Sequence, residues 1–208
     1  MVGSLYLPVL VLVFGLVQTL LKMIEVIHEH SVDISLLPAK AIILDLGCRG
    51  FAFTNHFREL GHTVHAVDID DLQHGDYDQC AITNYTGECG IWRNNDPQAT
   101  KIDPLNINLE SARCYTLEDY MTLKKVEFWD LVKMDVEGAE FEIIMDMKMA
   151  PAKMISLECH MHCGQTMEEC QLMFMRLAFI GYQCVSGEEL SEAHGAGRNF
   201  WNMLWILK

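Results

Sequence analysis

The stretch Ala41-Ile-Ile-Leu-Asp45-Leu-Gly47-Cys-Arg-Gly50 is a short apolar run that closes on an acid and two glycines. A run of that length without polar alternation reads as a strand buried on both faces, the kind found in parallel sheets. Glycines after such a strand let backbone approach a ligand, while the N-terminal amides of the following helix face it. Phe51 to Leu60 has helical spacing with Gly61 at its end, and His62 to Val67 reads as a second strand ending at Asp68. Strand, glycine turn, helix and strand make one βαβ unit. Asp68 falls about 20 residues beyond the turn, where a carboxylate meets the ribose of a nucleotide.

Outward from this unit the alternation continues. Phe128 to Met134 reads as a strand, Glu137 to Met147 as a helix, Lys153 to Leu157 as a strand and Thr166 to Phe179 as a helix. Gly181 to Val185 and Asn199 to Leu207 read as two final strands around a glycine-containing loop from Ser186 to Arg198. Such alternation predicts an α/β fold with a mostly parallel sheet. Asp70 to Ser111 is rich in Asp, Asn, Gly and Gln, and only Cys80 to Thr83 and Gly90 to Trp92 are strand-like there. Upstream, Leu20 to His30 mixes apolar and charged positions at helical spacing, which predicts a lead-in helix. The expected organisation is an N-terminal segment with its lead-in helix over 1–36 and one domain over 37–208.

The formal net charge is −14, and no Lys/Arg run of the kind that tracks a phosphate backbone is present, so nucleic acid is not the expected partner. The eight cysteines lack CxxC pairs or zinc-finger spacing and read as free, mostly buried thiols of a reducing compartment. Leu5 to Leu21 is nearly all apolar, with no charged side chain before Lys22. Its length is at the border of spanning a bilayer, so a membrane anchor and an apolar helix packed on the domain both fit. As an anchor it would leave a cytoplasmic catalytic domain, because Lys22 lies on its C-terminal side.

A dinucleotide enzyme would carry G-x-G-x-x-G, but Arg49 and Ala52 occupy the second and third glycine positions. A turn led by Asp45 with Gly47 and Gly50 suits a cofactor without phosphate. Asp135, Glu137, Glu140 and Glu142 crowd a strand end and the first turn of a helix. Helix capping accounts for Glu140 and Glu142, whereas Asp135 and Glu137 sit at the edge where open α/β sheets bind ligands. Glu158 and His160 are two apart on an extended segment and so point to one face. Either is a natural base for a hydroxyl nucleophile. Glu158, His160 and His162 also have the spacing of metal ligands along a strand, an alternative set aside in favour of a metal-free site.

Lys133-Met-Asp135-Val-Glu137-Gly138-Ala-Glu140 resembles the K-x-D-x-E-G-x-E signature of FkbM-type methyltransferases. Asp45-Leu-Gly47, Tyr115-Thr-Leu-Glu-Asp119 and Ile155-Ser-Leu-Glu158-Cys-His160 are similar to further family segments in the same order. The resemblance covers about Ala41 to Leu207. It implies a Rossmann-like class I methyltransferase domain, with a mostly parallel seven-stranded sheet whose C-terminal strand runs antiparallel. It also implies S-adenosylmethionine as cofactor and O-methylation of a hydroxyl on a small metabolite or glycan. On that reading Asp45, Gly47, Gly50, Asp68 and Asp135 bind the cofactor. His160 or Glu158 is the base, and Asp135 and Glu137 position the reactants.

Two departures stand out. The family turn reads D-x-G-A-N-x-G, so here the second glycine comes one residue early, and Phe51 in its place is expected to crowd the methionine end of the cofactor. Asp68 stands where Glu is usual. The rival reading from another class is a catalytically silent relative acting as a membrane-tethered interaction module.

Overall fold

The structure is a computed structural model that describes residues 24–73, 75–93, 100–103, 110–160, 166–187 and 200–208. The apolar segment over 5–21 and His162 lie outside the described residues, as do Cys163 and most of the loop over 186–198. Among the described residues no helix is long and apolar enough to cross a membrane.

The chain opens on a hairpin of β1 (Ile24–Ile27) and β2 (His30–Asp33), paired antiparallel with Ile27 opposite His30. The expected lead-in helix over 20–30 is therefore wrong for its described part. Ile24, Val26, Ile27 and Val32 are β-branched, which suits strands, and His28 and Glu29 form a two-residue turn with φ of 46° and 73°. Positive φ at both turn residues matches the right-handed twist of the flanking strands. Asn-Gly usually signals such a turn, and the His-Glu pair found here hides it.

The central units follow: β3 (Ile42–Leu46), α1 (Ala52–Glu59), β4 (Thr63–Asp68) and a short β5 (Asp78–Gln79). Next come β6 (Ala81–Ile82), β7 (Gly87–Arg93), β8 (Thr100–Asp103) and β9 (Ser111–Tyr115), then α2 (Leu117–Lys124) and β10 (Trp129–Met134). The last elements are α3 (Glu140–Asp146), β11 (Ala152–His160), α4 (Met167–Phe179), β12 (Tyr182–Gly187) and β13 (Phe200–Leu207). The main sheet has seven strands in the order β12-β13-β11-β10-β3-β4-β5. The pairings from β11 through β5 are parallel, and β13 runs antiparallel to both β11 and β12. The region over 70–111 supplies the edge strand β5, while β6, β7, β8 and β9 form a separate four-stranded sheet.

Alternation along the strands sends side chains into two cores. Leu44, Val132, Met134, Ile155 and Leu157 pack under α2, α3 and α4 through Tyr120, Ile143, Met173 and Leu177. Ile43, Leu131 and Met154 face the other way, onto Phe53 and Phe57 of α1 and onto Ile27 and Val32 of the hairpin. By the period of two, Asp45, Lys133, Glu158 and His160 share the hairpin face. The order reverses between β3 and β10, so ligand space opens past their carboxyl ends.

Candidate functional site

The turn after β3 is held by Gly47 and Cys48, whose N–H groups donate to the Val67 carbonyl at 2.9 and 3.2 Å. Gly47 has φ +76°, and a Cβ there would lie 1.8 Å from the Asp135 carbonyl oxygen. The tip of β10 therefore demands this glycine, whatever ligand is near. Gly50, also at φ +76°, is exposed and looks onto open space. Phe51, at φ 57°, turns its ring toward Gly75 and onto Tyr77, with ring centroids 5.7 Å apart. The crowding expected of Phe51 is thus not found: it lines neither hollow at the strand tips.

Asp45 is buried, accepts a hydrogen bond from the Thr54 hydroxyl at 2.6 Å and lies 3.2 Å from Lys133 Nζ. Lys133 also donates to the Gly47 carbonyl at 2.6 Å and sits 3.2 Å from Asp135 Oδ2. Burial alone would disfavour the ammonium, but Asp45 and Asp135 outweigh it and raise its pKa. His30 arrives from the hairpin, with Nε2 3.7 Å from the same Oδ2. For Asp135, burial opposes the anion, yet the bond to His30 and the charges of Lys133 and His160 hold its carboxyl well below the usual carboxylate range.

The signature segment has a physical account at each of its fixed positions. Glu137 takes φ 52° and Gly138 φ 105°, so the chain doubles back directly after Asp135. That bend turns the N–H groups of Val136 and Gly138 onto the two oxygens of Glu140, at 3.1 and 2.9 Å. Glu140 is fully buried and meets His160 Nδ1 at 2.7 Å, so its role exceeds helix capping. The other ring nitrogen, Nε2, faces Glu158 at 3.4 Å, Asp135 Oδ1 at 3.5 Å and Glu137 at 3.8 Å. Burial lowers the pKa of such an imidazole, but Glu140, Glu158 and Glu137 overcome it and push His160 up to about 11.

Two hollows meet here. The first is a cleft of about 170 Å³. Gly47, Arg49, Asp68 and Asp70 line it on one side and Asp135, Val136, Glu137 and Ala139 on the other, with Val67, Ile69, Cys80 and Ile82 as apolar floor. Asp68 accepts the Asp70 N–H at 2.9 Å, and burial pushes its carboxyl up. The second hollow, across the glycine turn, is lined by His28, His30, Asp45, Arg49, Lys133 and Asp135 among others. Gly47, Asp68, Asp135 and Glu137 are thus brought to one cleft, Asp45 reaches only the second hollow, and Gly50 reaches neither. Sequence reasoning missed His30, which was expected on a helix, and the roles of Lys133 and Glu140. The signature itself held the signal for the latter two.

The family described as Methyltransferase FkbM domain matches residues 47–184, well over half of the chain. Among solved structures, the chain is similar to a TehB-like SAM-dependent methyltransferase from Corynebacterium glutamicum, at 13% identity over 84% of each chain with a TM-score of 0.44. It is also similar to a fibrillarin pre-rRNA processing protein from Methanococcus jannaschii, at 12% identity over 86% of this chain and 70% of that one, TM-score 0.48. A precorrin-6y C5,15-methyltransferase from Geobacter metallireducens is similar at 11% identity, over 81% and 80% of the two chains, TM-score 0.35. No curated protein matches the sequence.

Proposed function

The chain belongs to the FkbM methyltransferase family, and from that premise we propose that it moves a methyl group from S-adenosylmethionine to a hydroxyl of a small metabolite or glycan. The observation that carries this reading is the cleft at the β3/β10 reversal, with Asp68 on one wall and Asp135 and Glu137 on the other. Its apolar floor of Val67, Ile69, Cys80 and Ile82 suits a purine ring, and Asp68 is placed to accept from ribose hydroxyls. The carboxylates past β10 suit a sulfonium cation. When bound, S-adenosylmethionine supplies a methyl carbon open to in-line displacement.

The remaining work falls to this chain's own groups. An attacking hydroxyl must be held close and must lose a proton. His160 is held through Nδ1 by the buried Glu140 carboxylate at 2.7 Å, so its part is to orient the carboxylates gathered around it. The base role goes to Glu158, whose carboxylate lies 3.4 Å from His160 Nε2 and beside Asp135 and His30. Lys133 and His30 fix Asp135 as an anion on the cleft wall, where it positions the reactants.

Isothermal titration of S-adenosylmethionine and its demethylated product tests the cofactor half. The wild type binds both, and Asp68→Ala weakens binding tenfold or more. Equal affinity in the two proteins would remove the ribose assignment, and no binding by wild type would leave the silent interaction module. Transfer of labelled methyl to hydroxylated metabolites or oligosaccharides, lost in Glu158→Gln with cofactor binding kept, tests the acceptor half.

A further inference from the structure

We infer that Asp135, Glu137 and His160 form a site for one divalent first-row transition-metal cation, open toward the cleft. Their ligand atoms, Asp135 Oδ1, Glu137 Oε2 and His160 Nε2, lie within 4.8 Å of one another. His160 Nε2 is 3.5 Å from the first and 3.8 Å from the second. Two atoms bound tetrahedrally at 2.0–2.2 Å from one ion would be roughly 3.3–3.6 Å apart, so both carboxylates already stand near the required distance from His160 Nε2, and rotation of the partly exposed Glu137 brings its oxygen toward Asp135.

The second observation lies behind these ligands. A metal-bound imidazole characteristically gives its other N–H to a carboxylate, which fixes the tautomer and aims the free nitrogen. Glu140 supplies that carboxylate: it is fully buried, takes backbone N–H groups from Val136 and Gly138, and meets His160 Nδ1 at 2.7 Å. With both Glu140 oxygens already accepting, Nδ1 donates, and Nε2 is turned to the carboxylates of Glu158, Asp135 and Glu137. Asp135 is braced in the same way. Lys133 and His30 occupy the Oδ2 side at 3.2 and 3.7 Å, which leaves Oδ1 on the His160 side.

One imidazole and two carboxylates suit Mn²⁺, Fe²⁺, Co²⁺ or Zn²⁺. Three protein ligands leave positions for a substrate oxygen, and Asp135 and Glu137 both line the cleft. The use of the ion rests on the methyltransferase reading. It would hold the acceptor hydroxyl and lower its pKa, and the proton would pass to Glu158, 3.4 Å from His160 Nε2. The site itself does not depend on that use.

The test is titration of the full chain, stripped with chelator, with Mn²⁺ followed by electron paramagnetic resonance and with Co²⁺ followed by visible absorption. One equivalent of Mn²⁺ binds, and the Co²⁺ spectrum shows an ordered nitrogen and oxygen environment. Glu137→Gln, at a partly exposed tip, and Glu140→Gln each weaken binding tenfold or more, while Asp68→Ala, on the opposite wall, stays within threefold. Circular dichroism melts show that each variant is folded. No stoichiometric metal on folded wild type overturns the site, as does equal loss in Asp68→Ala, which would mark a diffuse acidic attraction. The same wild-type sample is titrated with the demethylated cofactor. Cofactor binding without metal ends this inference alone, and metal binding without cofactor ends the methyl-transfer reading alone.

Discussion

Lys133 touches Asp45, Asp135 and the Gly47 carbonyl at once, so its charge holds the tips of β3 and β10 together. Removing one partner of a buried pair leaves an uncompensated charge, which costs roughly 3–5 kcal/mol, whereas replacing both is often close to neutral. Lys133→Met is therefore expected to lower unfolding stability by about that amount, and Asp45→Asn combined with Lys133→Met to recover much of it. Chemical denaturation of the single and double variants completes the cycle. The two glycines separate in the same way. Gly50→Ala meets only the left-handed backbone penalty of roughly 1–2 kcal/mol, because nothing lies within 4 Å of its Cβ. Gly47→Ala puts a Cβ 1.8 Å from a backbone oxygen and so falls among the rare changes beyond about 4 kcal/mol. If melting temperatures place the two alanine variants together, the close approach of the strand tips is not what Gly47 serves.

At the scale of elements, the hairpin decides what the sequence did and did not reveal. Its turn residues His28 and Glu29 both sit at positive φ, the arrangement for which Asn-Gly is preferred. Replacing the pair by Asn-Gly is expected to stabilise the protein by about 1 kcal/mol, read as a rise in the denaturation midpoint with unchanged slope. At α4, Thr166 accepts from Glu169 N while Glu169 reaches back to Thr166 N, a capping box whose loss in Thr166→Ala costs about 1 kcal/mol. That box, like the apolar runs of β3, β10 and β11, is written in local spacing, and α1, α3, α4 and the central strands were legible for that reason, whereas α2 was not expected as a helix. The hairpin was not, because eleven residues of mixed apolar and charged character satisfy both periods, and only the fold shows which wins. The site divided along the same line. Asp68, Asp135 and Glu137 stand at strand tips that spacing locates, while His30 reaches Asp135 from an element whose position is set by packing on Leu131 and Met154. The raised pKa of His160 was also hidden, since it depends on Glu158 of its own strand, Glu140 of α3 and Glu137 of the turn before α3 converging on it.

Across the whole molecule the charge is −14, and the site repeats that sign locally, with Asp135, Glu137, Glu140 and Glu158 gathered around His160 and Lys133 nearby. Such a field distinguishes the two forms of the proposed cofactor. The methyl donor carries a sulfonium charge that its demethylated product lacks, while the two share the adenosine and amino-acid groups. The apolar floor and Asp68 therefore act on both nearly alike, and the carboxylates past β10 favour the donor. Exposed charges are screened over about 30 Å at 0.01 M salt and about 3 Å at 1 M, whereas charges against a dry wall are screened much less. Titrating donor and product across that range, with chelator present so that no cation occupies Asp135 and Glu137, should show the donor's preference shrinking several-fold as salt rises and levelling at a residual set by these partly buried carboxylates. A preference indifferent to salt would place the discrimination wholly in those close contacts. No preference at any salt would mean that the sulfonium does not sit beside them, and the cleft would then need another reading of which end of the ligand faces β10.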